Sequence, residues 1–371
     1  MPKLKQPVLG ILATAITIVV SLGFIKLFTY RTFADWVGYC LMCIIPIALI
    51  IAITWEGGKY PASVGALRQP AKGIALLVIA LLVGVVAGVA IIAFVGGKIT
   101  PPAPMANMYD IFVIDMSFLL IVMFGGWPFT SMIKNRVVAA VPLLLATYIV
   151  GYGLFRVFFN FEFMQGAPVY VPALDPHGLS NAFVAIGFAT AALCGMFVLI
   201  NFDLWPLTKS ASLMRQPTLG IVWTLIALVF GVIATYIGYS VLEIDVVVFL
   251  VRASVAFIFG TIVVQNMLQG SLFAKFNQPL KGILNNFACV VIGGALCTMY
   301  GFLAPAIHGK LAVGPPTYEL ELWMATALLG VTFPFFTIVG HFELWPLARP
   351  EAAPVANSVQ PERTMAAKSG S

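Results

Sequence analysis

Residues 73–95 read GIALLVIALLVGVVAGVAIIAFV, without one polar side chain. At 1.5 Å per residue a helix of this length is about 34 Å long, enough to cross a hydrocarbon core about 30 Å thick. The run is apolar on every side. A helix of a soluble domain would carry one apolar stripe, and a strand of a membrane barrel would alternate apolar and polar residues. The segment therefore reads as a membrane-spanning helix, and it sets the class of the chain.

Nine more stretches follow the same reading: 8–29, 37–55, 107–127, 137–160, 181–203, 218–240, 245–267, 282–305 and 321–343. The expected fold is all-α, a polytopic membrane protein of about ten helices forming a single transmembrane domain over residues 1–349. Composition agrees. The chain is 61% hydrophobic and only 9% charged, where soluble domains carry about 25% charged residues. That excludes a typical soluble enzyme. The net charge of +6 is scattered, so no phosphate-binding patch forms and nucleic acid is not an expected partner. Residues 350–371 lack large apolar side chains and read as a disordered cytoplasmic tail. Only Lys3 and Lys5 precede the first long span, with no small-residue cleavage site behind a short apolar core, so that span reads as a retained helix.

Basic residues mark the cytoplasmic side of a membrane protein. Numbering the loops alternately puts Lys3, Lys5, Lys59, Arg68, Lys72, Lys134, Arg136, Lys209, Arg215, Lys275, Lys281, Arg349, Arg363 and Lys368 on one side. Lys26, Arg31, Lys98, Arg156, Arg252 and Lys310 fall on the other. Both termini are expected to be cytoplasmic, in the cell's inner membrane.

Four segments share one motif: Gln6-Pro7-Val8-Leu9-Gly10, Gln69-Pro70-Ala71-Lys72-Gly73, Gln216-Pro217-Thr218-Leu219-Gly220 and Gln278-Pro279-Leu280-Lys281-Gly282. Each opens an odd-numbered span, where proline fits the first helical turn. A second motif closes even-numbered spans: Trp127-Pro128, Asn201-Phe202-Asp203-Leu204-Trp205-Pro206 and His341-Phe342-Glu343-Leu344-Trp345-Pro346. Tryptophan anchors at the interface and proline stops the helix. Together they divide the chain into five degenerate two-helix hairpin repeats, at about 4–66, 67–133, 134–213, 214–275 and 276–349. Asn201 and Asp203 align with His341 and Glu343, with Met123 and Gly125 in the second unit, and with Val263 and Gln265 in the fourth.

Charges inside spans are costly, about 2.5–3.5 kcal/mol each on insertion scales, and point to function. Asp115 lies about 12 Å deep in the fourth span. Arg252 lies at similar depth in the eighth. An ion pair between them would explain how both are tolerated; the alternatives are a place on a solute or proton path, or Arg252 snorkelling outward. Asp110, Glu243, Asp245, Glu319 and Glu321 cluster near the outer ends of spans. They read as helix-start acids or as an acidic outer vestibule. Asn201 and His341 sit one turn inside the inner ends. The amides Gln265, Asn266, Asn285 and Asn286 are expected to join helices. Gly84 with Gly88, and Gly293-Gly294, read as close helix contacts, and Pro46, Pro142 and Pro334 as points where spans can bend. The apolar outer loop 160–180 and the prolines at 101–104 and 315–316 read as segments that cap a cavity or meet a partner.

Catalytic signatures are missing. Cys40 and Cys43 have redox spacing but lie within a span, where packing is the expected role. No nucleotide loop, hydrolase elbow or metalloprotease motif occurs, and no cofactor or metal is expected. The residues favour a permease that moves a small solute or ion, with proton coupling, rather than an enzyme. Asp115 would bind a cation or proton, Arg252 would be its partner or an anion clamp, and Asn201 and His341 would line the inner half of the path. The alternatives are a non-catalytic integral subunit, meeting a membrane-protein partner or a second copy, and a lipid-modifying enzyme acting through Asp110, Glu319, Glu321 or His177.

Overall fold

A computed structural model of the protein describes residues 4–55 and 60–348. The tail expected at 350–371 lies outside the described residues. Among the described residues, ten helices are long and apolar enough to cross a membrane, which marks the chain as a multi-pass membrane protein. They are α1 (Val8–Ile25), α2 (Tyr30–Thr54), α3 (Ala71–Phe94), α4 (Pro104–Met123), α5 (Arg136–Phe158), α6 (Ala182–Asn201), α7 (Thr218–Val241), α8 (Val246–Met267), α9 (Leu280–His308) and α10 (Glu319–His341). Among the described residues the strands are β1 (Phe159–Asn160) and β2 (Ser180–Asn181), a short parallel pair. It fastens the ends of the 160–180 loop.

The spans lie close to their expected positions. α2 starts earlier than residue 37 because Thr29 caps it, accepting from the Thr32 N–H at 3.2 Å. α9 runs on to His308 and ends at Gly309, whose φ of 79° lies in the left-handed region that glycine adopts readily. The expected bend sites differ. Near Pro46, α2 is interrupted by a turn at Cys43–Ile44; Pro334 follows a π-helical stretch; Pro142 sits in an unbroken helix.

The ten helices form two layers. Over an 18-residue apolar stretch of each helix, between 56% and 78% is buried in the even-numbered helices, against 22% to 44% in the odd-numbered ones. The even helices pack side by side in the order 2, 4, 6, 8, 10, and α10 returns to α2. Apart from contacts at the turn within a hairpin, the outer helices fill the grooves of this ring. α5 lies between α2 and α4, α7 between α4 and α6, α9 between α6 and α8, α1 between α8 and α10, and α3 between α10 and α2. α3 is sorted by side-chain size rather than polarity. α3 turns Ala80, Gly84, Ala87 and Gly88 inward and Leu82, Val85, Val86 and Val89 outward. Small residues let backbones approach where lipid supplies no hydrophobic drive. A Cβ on Gly84 would meet Ile44 at 2.5 Å.

The two sequence motifs are the halves of one interlock. In each Gln-Pro segment the Gln side chain accepts from the glycine N–H four residues on, at 2.9–3.1 Å. Its amide donates to the end of an even helix in another hairpin: Gln6 to the Met267 carbonyl, Gln69 to that of His341, Gln216 to that of Met123, and Gln278 to the Asp203 carboxylate. The glycine lets the helix sit on that end. Gly73, Gly220 and Gly282 lie against the rings of Phe342, Phe124 and Phe202, and Gly10 against the Met267 carbonyl. Lys72 and Lys281 bridge to Glu343 and Asp203, each at 2.7 Å.

Four of the even helices, α4, α6, α8 and α10, end in pairs of left-handed residues: Gly125-Gly126, Asp203-Leu204, Gln269-Gly270 and Glu343-Leu344. This places Met267 and Gln269, not Val263 and Gln265, opposite Asn201 and Asp203. The slip arises because the fourth unit lacks the Trp-Pro pair from which the position is counted back in the second, third and fifth units.

Candidate functional site

All five inner helices contribute to a cavity of about 130 Å³ on the ring axis. It extends from Phe183 and Leu322, in the first turns of α6 and α10, down to Phe118 and Phe333. At that lower end Phe118 packs on Phe197 at 5.3 Å and stacks with Phe333 at 6.3 Å between ring centres. Above it Phe183 touches Phe163 of the 160–180 loop (5.2 Å) and Tyr318 (6.4 Å). The loop thus borders the cavity. Three inner helices are π-helical where they line it, through Phe118 of α4, Leu250, Val251 and Val255 of α8, and Thr326 and Leu329 of α10. Such turns inside α-helices often accompany functional sites.

Asp115 is the one charged residue in the wall of this cavity. It is 8% exposed, and its Oδ2 is buried without a hydrogen-bond partner. Thr190 shares the wall, but its hydroxyl donates back to the Ile186 carbonyl at 2.8 Å. The remaining lining is almost wholly apolar. An ionised carboxylate alone in such surroundings costs several kcal/mol, so the site calls for a proton or a cation.

Arg252 does not meet this need. Its Nη2 donates to Glu321 Oε1 at 2.9 Å, and the Gly314 N–H donates to Glu321 Oε2 at 3.1 Å. The expected Asp115–Arg252 pair is replaced by an Arg252–Glu321 pair joining α8 to α10. Similar depth on two helices says nothing about which way each side chain faces.

The expected outer vestibule is split. Asp245 caps α8, accepting from the Val247 and Val248 N–H groups, and also accepts from the Tyr318 hydroxyl at 2.8 Å. Burial, followed by that hydrogen bond to Asp245, pushes the Tyr318 phenol up to about 12. Glu319 accepts from the Ala312 N–H at 2.8 Å. With Glu321 and Arg252 these groups tie the starts of α8 and α10 together. Glu243 is exposed on the turn between α7 and α8. Asp110 is fully buried: the Cys43 thiol faces its Oδ2 at 3.6 Å, and its Oδ1 is unpartnered.

Asn201 and His341 lie outside the cavity wall. Asn201 centres an amide network, accepting from Gln265 at 2.7 Å and donating to Asn286 at 2.9 Å, while Asn285 donates to its carbonyl at 3.4 Å. These bonds join α6, α8 and α9. His341 is buried, with Nε2 unpartnered. His177 is held by Glu162 at 3.3 Å in the outer loop.

Two organising residues escaped the sequence reading. Asp175, buried in the 160–180 loop, accepts from the Phe161 and His177 N–H groups and from the Tyr170 hydroxyl. His308 accepts from Trp323 Nε1 through Nδ1 at 2.7 Å, and its Nε2 faces the Phe28 carbonyl at 3.0 Å. The run from Asp175 to His177 marks a turn that could have flagged the first. The second has no local signal, because its partners lie 15 and 280 residues away.

No known protein family matches this chain, and no curated protein or solved structure matches it either.

Proposed function

We propose that the protein is a permease of the inner membrane that moves a small solute with proton coupling, and that Asp115 is its binding carboxylate. One observation carries the reading: a lone, unpartnered carboxyl faces a cavity enclosed by all five inner helices. The cavity is bounded by aromatic rings at both ends, which suits an occluded site in an alternating path. Binding of solute and proton at one carboxylate is a direct means of coupling, because each supplies the positive charge the site lacks. The acids on the starts of α8 and α10 form an approach favourable to cations. Arg252 takes the role of a brace, and Asn201 and His341 stand beside the path rather than in its wall.

In this reading the chain is one membrane unit of five duplicated hairpins with both ends cytoplasmic. The recurring Gln-Pro interlock and the closed order of helix neighbours support duplication, and the distribution of Lys and Arg supports the orientation. The subunit reading has one favourable observation, the scarcity of polar groups in the cavity. The lipid-modifying reading is the weaker, because Asp110, Glu319, Glu321 and His177 are each engaged with different neighbours.

The test is uptake by proteoliposomes across a panel of ions and small metabolites, with and without a proton gradient. Asp115→Asn should lower uptake at least tenfold while leaving the protein monodisperse. Unchanged uptake in that variant, or no uptake by the wild type, would count against the assignment.

A further inference from the structure

A second cavity, of about 620 Å³, lies on the flank of the ring, between outer helices α5 and α7 and over inner helices α4 and α6. Phe158, Val184 and Leu228 line it and are also exposed at the apolar surface of the bundle. Its rim therefore faces the hydrocarbon layer rather than water. Asp115 is the only charged residue in its wall and also stands in the wall of the axial cavity. Tyr239, on the same flank, has a buried hydroxyl without a partner. The next flank offers a comparison. A groove of about 540 Å³ between α7 and α9, over α6 and α8, is as apolar but has no charged residue.

We propose that the solute is a lipophilic cation, an amine or quaternary centre on a hydrocarbon body, which reaches Asp115 sideways from the bilayer through the α5–α7 flank. This rests on the permease reading and deepens it. A hydrated metal ion would need several oxygen ligands, six to eight for a calcium ion, and the site presents one carboxylate among apolar walls. A cation shielded by its own hydrocarbon needs no more than a counter-charge and room. A solute already in lipid gains little from apolar walls alone. Selection then falls on the carboxylate, and the cation is preferred to a neutral molecule of the same shape. The uncharged α7–α9 groove gives no such preference.

The experiment measures binding to the purified full chain in lipid nanodiscs, using tetraphenylphosphonium as the cation and triphenylphosphine oxide as the neutral analogue. The wild type should bind the phosphonium at least tenfold more tightly than the oxide. Asp115→Asn should abolish that preference. Ala185→Trp, which fills the α5–α7 flank, should weaken phosphonium binding at least tenfold, while Ala253→Trp in the α7–α9 groove should leave it unchanged. The wild-type comparison of cation and oxide depends on no variant folding. Equal binding of the two compounds, a preference that survives Asp115→Asn, or equal loss from Ala185→Trp and Ala253→Trp overturns the inference. Binding and transport fail separately. Phosphonium bound at Asp115 with no solute moved in proteoliposomes would sink the permease alone. Asp115-dependent uptake of a hydrophilic solute without phosphonium binding would sink the lateral route alone.

Discussion

Arg252 is about half exposed, and the Glu321 side chain that holds it has no exposure at all. The asymmetry decides what each substitution does. Arg252→Leu leaves a buried carboxylate with a single backbone N–H, and breaking a buried pair in this way costs about 3 kcal/mol, at the low end because the arginine is partly solvated. Replacing both residues with leucine should recover most of that loss. A double-mutant cycle on thermal unfolding in detergent reads the difference; equal losses for the single and double variants would refute the account. The residue scale was the least legible in sequence. Depth along a helix follows from counting, so Asp115 and Arg252 stood out as deep charges. Azimuth depends on neighbours far away in the chain and on π-helical turns, so their partners did not. Asn201 and His341 were found as unusual polar residues, but their surroundings could not be read from their own hairpins.

At the scale of the element, α9 offers two adjacent glycines with opposite surroundings. A Cβ on Gly293 would collide with the Ala256 carbonyl oxygen of α8, and one on Gly260 with the Cys289 carbonyl of α9. Backbone cannot swing aside as a side chain can. Gly294 has nothing within 4 Å. Gly293→Ala should therefore destabilise the protein by about 1–3 kcal/mol, whereas Gly294→Ala should be neutral or stabilising by up to about 1 kcal/mol through helix propensity. Thermal midpoints of the two variants in the same detergent provide the check, and a shift of the same sign in both would rule it out. Elements were the most legible part of the chain. An apolar run of sufficient length needs no tertiary information, and proline and tryptophan punctuate its ends. What sequence left open was the pairing of elements. Gln6 and Met267 are 261 residues apart, and nothing local to either names the other.

At the scale of the whole molecule, ten crossings place every Gln-Pro segment and every Trp-Pro segment at one face. On the charge distribution, we propose that this face is the cytoplasmic one. Single cysteines introduced at Lys134 and Lys209 should react with a membrane-impermeant maleimide only when the cytoplasmic side is open to it. A cysteine at Glu243 should react from the opposite side. Labelling of Lys134→Cys or Lys209→Cys in intact cells would reject the arrangement. This scale was legible only in part. Counting basic residues gives an expected orientation and the recurrence of motifs suggests five hairpins, but neither implied that the inner helices close into a ring.

That closure constrains the order of events during synthesis. α5, α7 and α9 each lie between inner helices that precede them in the chain, so each finds its seat as it emerges. α1 and α3 do not: α1 needs α8 and α10, and α3 needs α10. The first two outer helices to enter the membrane are thus the last to be fully housed. Their Gln-Pro ends must wait, solvated or chaperoned by lipid, until nearly the whole chain has been inserted. The Lys72–Glu343 bridge, at 2.7 Å, is then a latch that fastens only when the tenth helix arrives.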